Sequence, residues 1–497
     1  MCNDATLVHE EHGGWRVDGD PTEGALLAAA ARGGVDVEFA RDAFPRVAEI
    51  PFDAGTARMT TAHRAPAGDV VVVCKGAPEA LLRAEVLDDP PDDIVTARAA
   101  ADDLAGAGYR VLAAARATVR DLSDGLPAGH FRLLGLVALT DPLRPSAESA
   151  VAAARAAGVR TVVITGDHPA TVGRLARRLG ILSADRPTVT GRELAAGDPP
   201  LASVYARVAP EQKLDVVRSW QRSGEVLAMT GDGVNDAPAM RAADIGVAMG
   251  RRGTEVAKQA ADLVLTDDDL ATVVAAVAEG RRVYDNIRRF VRYGVSGGVA
   301  EVLVMLAGPF LGLGITLLAA QILWINLLTH GVPGVTLGVE PAEPDVLHRP
   351  PRRPADGILA GGMVARILVL AVVLAGASLG LGVWASHADR PWQSMVFASL
   401  ALGQLWVALA LRTGGRLLTG NPWLTVAVAA DAALVLAALY LPLLRDLLGT
   451  QSLSAGDLGA VAVASLAGAV TVALQRVARP RRGPSPLPRH DRSGERG

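Results

Sequence analysis

The stretch Met229-Thr230-Gly231-Asp232-Gly233-Val234-Asn235-Asp236-Ala237-Pro238-Ala239-Met240 places two carboxylates, an amide and two glycines within six residues. Such a set suits Mg2+ held beside a phosphoryl group. Asp232 offers a hard carboxylate oxygen, and a metal bound this way keeps several of its waters. A second loop, Thr165-Gly166-Asp167, offers a hydroxyl and a backbone amide that can stabilise charge developing on phosphoryl oxygens. About twenty residues before Asp232, Lys213 in Ala209-Pro210-Glu211-Gln212-Lys213 can act as a point charge on the same group. The chain has 49 basic residues, and only Lys75, Lys213 and Lys258 among them are lysines. Two of those three fall where the chemistry asks for an ammonium.

A different chemistry is available further on. Glu301 lies within the apolar stretch Ser296-Gly297-Gly298-Val299-Ala300-Glu301-Val302, and Asn326, Thr329 and His330 lie within Trp324–Pro333. Ionisable groups inside apolar spans are costly and mark ion paths. Asn326, Thr329 and His330 are spaced i, i+3, i+4, on one helical face. Pro333 has no N–H and frees carbonyls in the turn before it. Together these make an oxygen-rich site with one imidazole, which suits a transition metal or a role in proton movement.

The elements that must position these groups follow from composition. Half of the residues are hydrophobic, yet the excess is uneven. Charges, Gly and Pro punctuate the chain up to about Arg289. Beyond it, apolar segments long enough to cross a bilayer recur at approximately 290–311, 315–337, 363–385, 393–411, 423–444 and 457–476. Arginines in Arg349–Arg353, Arg412–Arg416 and Arg476–Arg482 fall at alternate gaps, which puts those gaps and the soluble region on the cytoplasmic side. Met1 opens directly into polar sequence with no signal peptide pattern. A net charge of −3 with scattered arginines argues against a nucleic-acid partner. Cys2 and Cys74 are too few for a disulfide framework. The tail 479–497, rich in Pro, Arg and Ser, is expected to be disordered.

The soluble part divides in two. In residues 1–129, Val70–Cys74 is a buried strand ending in Lys75-Gly76-Ala77-Pro78-Glu79, whose lysine can reach an anionic or π-rich ligand. In residues 130–285, apolar strands alternate with Ala/Arg-rich helices, the pattern of a doubly wound parallel sheet. Leu133–Leu139, Thr161–Ile164, Val226–Met229 and Ile245–Val247 are its strand candidates. Ligands of such sheets bind at the carboxyl ends of strands, where Thr140–Arg144, Thr165–Asp167 and Thr230–Asp236 lie.

These residues resemble the P-type cation-transporting ATPases, in the Ca2+-ATPase-like branch, from residue 1 to about 478. The resemblance rests on Asp20-Pro21-Thr22-Glu23-Gly24-Ala25-Leu26, Pro51-Phe52-Asp53, Lys75-Gly76-Ala77-Pro78-Glu79, Tyr109-Arg110-Val111-Leu112-Ala113, the two TGD loops and the Asp232–Asp236 segment. It implies an α/β nucleotide-binding domain over 1–129 and a haloacid dehalogenase-like phosphorylation domain over 130–285. It also implies an α-helical membrane domain of six transmembrane helices over 286–478. ATP would be held by Glu23, Phe52, Arg58, Lys75, Gly76, Arg110 and Arg144, with Phe52 stacked on adenine and Arg110 near the phosphates. Arg58 stands in for basic residues that the family often carries just after the phenylalanine. Thr165, Gly166, Asp167, Lys213, Asn235 and Asp236 match the phosphoryl-transfer residues, and Asp232 the Mg2+ ligand. Glu301, Asn326 and Thr329 match ion ligands directly, while Gly298, His330 and Gln404 replace an asparagine, an aspartate and a glutamate.

The family's nucleophile is an aspartate in DKTGT, and no DKTGT occurs in the 497 residues. The expectation is therefore a phosphorylation domain lacking its first strand, on a chain that also lacks the actuator domain and the first four spans. ATP, the transported cation, the bilayer and an N-terminal half carried on a separate chain are the implied partners, at the plasma membrane. A membrane-anchored phosphatase and a non-catalytic ATP-binding regulator or remnant are the alternative readings.

Overall fold

The computed structural model describes residues 1–478 apart from 11–13, 54, 124, 141–142, 168, 183–187, 196, 198–199 and 414–419. Asp141 and Pro142 of the expected Thr140–Arg144 loop, Ala54, part of the Arg412–Arg416 linker and the 479–497 tail fall outside the described residues. The chain divides into two compact units. The first comprises Met1–Ala147, Val162–Val247 and Thr254–Asp262; the second comprises Glu148–Thr161, Ala248–Gly253 and the chain from Leu263 onward.

The first unit opens with a hairpin of β1 (Thr6–Glu10) and β2 (Gly14–Asp18). Asp20 then caps the helix Pro21–Arg32, accepting from the backbone N–H groups of Thr22 at 2.8 Å and Glu23 at 3.3 Å. This cap sets Glu23 in the first helical turn.

Five antiparallel strands follow in sequential order: β3 (Arg46–Asp53), β4 (Arg58–Arg64), β5 (Val70–Gly76), β6 (Arg110–Val119) and β7 (Arg132–Leu139). In β5, buried Val70, Val72, Cys74 and Gly76 alternate with half-buried Val71, Val73 and Lys75, the period of a strand. The buried face packs with Leu81, Leu82, Ile94, Val111, Ala113 and Phe131. Burial holds both the Cys2 and Cys74 thiols above their ordinary pKa, as expected of inert structural cysteines.

The strand expected over 133–139 does form, but as β7 it pairs antiparallel with β6 instead of joining the parallel sheet. Its apolar run fits either place. The described residues between β6 and β7 hold no helix, and a parallel pairing needs a crossover of that kind.

The parallel sheet pattern is present beyond it. β8 (Val163–Ile164), β9 (Val189–Thr190) and β10 (Val204–Ala206) pair in parallel in the order β8-β10-β9. A second three-stranded sheet has the order β11 (Ala228–Gly231), β12 (Ile245–Met249), β13 (Leu263–Leu265). The strands bearing the two chemical loops, β8 and β11, are both edge strands. The sequence suggested one sheet here; the described residues form two.

The second unit is dominated by helices. Among the described residues, five are long and apolar enough to cross a membrane: Leu270–Ala307, Met363–His387, Trp392–Ala410, Pro422–Tyr440 and Ala455–Val477. The protein is a multi-pass membrane protein. Asp269 caps the first helix, whose 38 residues extend about 57 Å at 1.5 Å per residue, nearly twice a bilayer core of about 30 Å.

The expected span at 315–337 is not one regular helix. It runs as an α-helical turn at Ala319–Trp324, a π-helical stretch at Ile325–His330 and a further helix at Gly331–Leu337. Pro333 accounts for part of this, because it cannot donate to the Thr329 carbonyl one turn back. The Tyr293 hydroxyl donates to that carbonyl instead. The segment expected over 423–444 likewise breaks at Leu441, where Pro442 starts a separate short helix to Leu448.

Candidate functional sites

The Asp232 loop is fixed by sterics and by one ion pair. A Cβ on Gly231 would lie 2.5 Å from Asp236 Cβ and 2.7 Å from Met240 Sδ, so only glycine lets the strand run this close to the turn. Lys213, on the helix Pro210–Arg222, donates from Nζ to Asp236 Oδ1 at 2.6 Å. The other carboxylate oxygen, Asp236 Oδ2, accepts from Gly233 N at 3.3 Å. Thr254 N donates to the Asp232 carbonyl at 2.9 Å, which fastens the loop from its far side. The Asp232 carboxylate and the Asn235 amide are exposed. An exposed carboxylate at a strand end, in a loop whose other carboxylate is paired with Lys213, fits a hydrated Mg2+ ion.

In the other loop, Thr165 Oγ1 donates to Asp167 Oδ2 at 3.0 Å and accepts from Asp167 N at 3.1 Å. Thr165 N and O are tied to Tyr205 and Val208, both at 3.0 Å, and Arg207 N donates to the Asp167 carbonyl at 3.0 Å. Gly166 is exposed, and a Cβ there would meet only the Val208 carbonyl, at 3.9 Å. Among the described residues no hydrogen bond joins the Thr165 loop to the Asp232 loop. Each stands at the carboxyl end of its own edge strand.

The nucleotide set is partly assembled. Lys75 Nζ pairs with Glu23 Oε1, both largely buried, while Glu23 Oε2 accepts from Asp4 N at 2.7 Å and Ala5 N at 3.2 Å. A Cβ on Gly76 would meet Ala57 O at 2.5 Å, so this strand end also requires glycine. Phe52 sits where the β3–β4 register shifts between Ile50 and Asp53, and it is 64% exposed. An aromatic ring this bare on an ordered strand is available for stacking. Arg110 Nη1 donates to Thr22 Oγ1 at 3.3 Å, beside the helix that carries Glu23. Arg58 turns to a different place, donating to the Ala128 carbonyl at 3.3 Å over a small pocket lined by Ile50, Thr56, Thr60 and Phe131. Arg144 is exposed.

In the helical unit four of the expected ion residues, Glu301, Asn326, His330 and Gln404, converge. Asn326 Nδ2 donates to Glu301 Oε2 at 3.0 Å, and Gln404 Nε2 donates to Glu301 Oε1 at 3.2 Å. His330 Nδ1 faces Asn326 Oδ1 at 3.0 Å, and His330 Nε2 lies 3.8 Å from Glu301 Oε1. Thr329 is buried, but its hydroxyl makes no hydrogen bond.

Two contributors to the cluster, and one further buried carboxylate in the bundle, escaped the sequence reading. Gly297, not Gly298, makes room for the imidazole: a Cβ there would lie 2.2 Å from His330 Nε2, whereas nothing lies within 4 Å at Gly298. Tyr293 packs edge-on against His330 with ring centroids 5.7 Å apart. Asp431, 3% exposed within Pro422–Tyr440, has a buried Oδ2 with no hydrogen-bond partner. Only Asp431 carried a signal, as a lone carboxylate in an apolar span.

An α/β unit with TGD and GDGxND loops at strand ends, joined to a helical membrane unit with an internal carboxylate cluster, defines a membrane protein of the haloacid dehalogenase superfamily. Residues 82–241 and 214–277 each match a family described as haloacid dehalogenase-like hydrolase. Residues 1–146 match P-type ATPase, cytoplasmic domain N, and residues 314–478 match Cation transporting ATPase, C-terminus. The chain belongs to the P-type cation-transporting ATPases.

It is 40% identical to a protein of Mycobacterium tuberculosis named probable cation-transporting ATPase F, over 95% of this chain and 55% of that protein. It is 35% identical to a calcium-transporting ATPase of Bacillus subtilis over 92% of this chain and 54% of the relative. It is also 35% identical to calcium-transporting ATPase type 2C member 1 of Bos taurus, over 92% and 49%. The chain thus spans about half the length of the relatives it matches.

Proposed function

We propose that these residues are the nucleotide-binding, phosphoryl-transfer and ion-path parts of an ATP-driven cation pump of the plasma membrane, with the soluble parts cytoplasmic. The observation that carries this reading is the single helix Leu270–Ala307. It starts in polar sequence at its Asp269 cap and runs on through the bundle to Glu301, at the centre of the polar cluster. A continuous helix of this kind suits the transmission of a phosphorylation event to an ion site.

In this reading Phe52 stacks on the purine of ATP, Lys75, Gly76 and Glu23 line the base pocket, and Arg110 and Arg144 face the phosphates, while Arg58 is held at the Ala128 carbonyl. Thr165 and the Gly166 amide hold the transferring phosphoryl oxygens, Asp167 orients Thr165, and Lys213 neutralises developing charge. Asp236 keeps Lys213 and the loop in place, and the exposed Asn235 is left to meet the phosphoryl group. Asp232 holds Mg2+, which when bound neutralises phosphate charge. The nucleotide-binding part extends through β7, to about residue 139.

The accepting aspartate is not among the 497 residues, so in this reading a segment outside them supplies it, on the same pump or on a separate N-terminal half. The edge positions of β8 and β11 support this, because unpaired strand edges beside the two loops can accept a further strand. The test is radiolabelling with γ-labelled ATP and Mg2+. Acid-stable label is expected only when a polypeptide carrying the accepting aspartate is present, and only with Asp232 intact. Acid-stable label on this polypeptide alone would overturn the assignment.

A further inference from the structure

Among the buried atoms of the helical bundle that have no hydrogen-bond partner are Thr329 Oγ1, His330 Nε2 and Gln404 Oε1. Thr329 and Gln404 are each 1% exposed, so solvent does not serve them. Buried polar atoms are ordinarily paired, and unpaired ones call for a physical account.

The hydrogen bonds around them fix which atoms carry lone pairs. Asn326 Nδ2 donates to Glu301 Oε2 and to the Ile322 carbonyl, both at 3.0 Å. Its Oδ1 is therefore the atom facing His330 Nδ1, which must carry the proton of that contact. The proton on Nδ1 leaves Nε2 of the neutral ring as a bare lone pair. Gln404 likewise spends its amide N–H on Glu301 Oε1, which leaves its Oε1 as an acceptor. Nε2 lies 3.8 Å from Glu301 Oε1, and both His330 Nε2 and the Gln404 amide carbon crowd the space above Gly297. His330 Nε2 and Gln404 Oε1 thus each present a lone pair close to the Glu301 carboxylate. A cation resolves that arrangement.

The donor set also discriminates among cations. Among the described residues no three His, Cys, Asp or Glu side chains gather, so amide and hydroxyl oxygens must complete the set. Ca2+ takes six to eight oxygens and favours several carboxylates. The cluster holds one carboxylate and one imidazole nitrogen, and imidazole suits Zn2+, Ni2+ and their neighbours.

We propose that Glu301, Thr329, His330 and Gln404 form a transport site for a Zn2+-like transition-metal dication, with His330 Nε2 as a direct ligand, and that the site disfavours Ca2+. This rests on reading the cluster as the pump's ion path.

The test uses the full chain in lipid nanodiscs with Co2+ as the visible and paramagnetic probe, competed by Zn2+ or Ca2+. Wild-type protein binds Co2+ with nitrogen hyperfine coupling, and Zn2+ displaces it at least about tenfold better than Ca2+, on the scale of a change at one ligand. His330→Gln removes that coupling and weakens binding about 10–100-fold. Glu301→Gln abolishes the binding and separates it from Co2+ held at other histidines.

If Co2+ binds in a Glu301-dependent way but Ca2+ competes as well as Zn2+, or no nitrogen coupling is seen, the selectivity proposal falls and the ion-path reading stands. If none of Co2+, Zn2+ and Ca2+ binds in a Glu301-dependent way, both fall. The competition in wild-type protein decides the matter even where His330→Gln does not fold.

Discussion

Lys213 Nζ sits 2.6 Å from Asp236 Oδ1, and the two side chains are only 17% and 12% exposed. Removing one partner of a buried pair leaves an uncompensated charge, which typically costs 3–5 kcal/mol. Residual exposure puts this pair at the low end, so Lys213→Met is expected to destabilise the protein by about 3 kcal/mol. Adding Asp236→Asn should recover a good part of that loss. Denaturant melts of the two single variants and the double variant close the cycle; strictly additive effects would show that the pair does not interact.

Phe52 is the exposed aromatic at the β3 irregularity. If it stacks on adenine, Phe52→Ala loses about 1–3 kcal/mol of nucleotide affinity, or roughly 5- to 150-fold. Because the ring contributes nothing to the core, the melting temperature should stay where it is. Displacement of a fluorescent ATP analogue from the full chain measures the first, and a thermal melt the second. Unchanged affinity would remove Phe52 from the site.

Local chemistry was legible in the sequence; partners distant along the chain were not. The Asp232–Asp236 loop, the Thr165–Asp167 loop and Lys213 could be named because glycines, carboxylates and an ammonium at strand ends state their task within a few residues. The run Leu133–Leu139 announced a strand, but an apolar strand does not say which sheet it joins. Pro333 signalled a disturbed helix, and the π-helical stretch Ile325–His330 bears that out. Tyr293, which takes up the Thr329 carbonyl, and Gly297, which admits the imidazole, were invisible. Their contacts span 36 and 33 residues, and neither residue type advertises them.

His63 is nearly enclosed in β4. Its Nδ1 lies 3.0 Å from the Phe44 carbonyl and its Nε2 lies 2.9 Å from Thr61 Oγ1. Burial is the main cause that holds its pKa below the ordinary 6.5, with the N-terminus and Arg46 adding repulsion. As pH falls, the unfolded chain takes up this proton before the folded one does. Stability from neutral His63 is therefore complete above about pH 6.5 and declines from there down through the lower folded value. The difference in stability between wild type and His63→Gln should hold above about pH 6.5 and shrink from there down to pH 5. A difference that stays constant with pH would show that His63 contributes no such linkage.

Gly297 and His330 make the sharpest steric prediction. A methyl group at 297 would stand 2.2 Å from His330 Nε2 and 3.1 Å from Gln404 Cδ, closer than real Cβ contacts allow. In Gly297→Ala the imidazole must turn away, breaking its contact with Asn326 Oδ1 and moving Nε2 off Glu301. The backbone there is helical, so alanine itself is favoured by up to about 1 kcal/mol, partly offsetting an overpacking cost of about 1–3 kcal/mol. The net change in stability is therefore small, while cation affinity at the Glu301 cluster should fall by about tenfold or more. Thermal melts and Co2+ titration on the same nanodisc preparation separate the two effects. Equal affinity in Gly297→Ala and wild type would mean that the imidazole position does not matter to the bound ion.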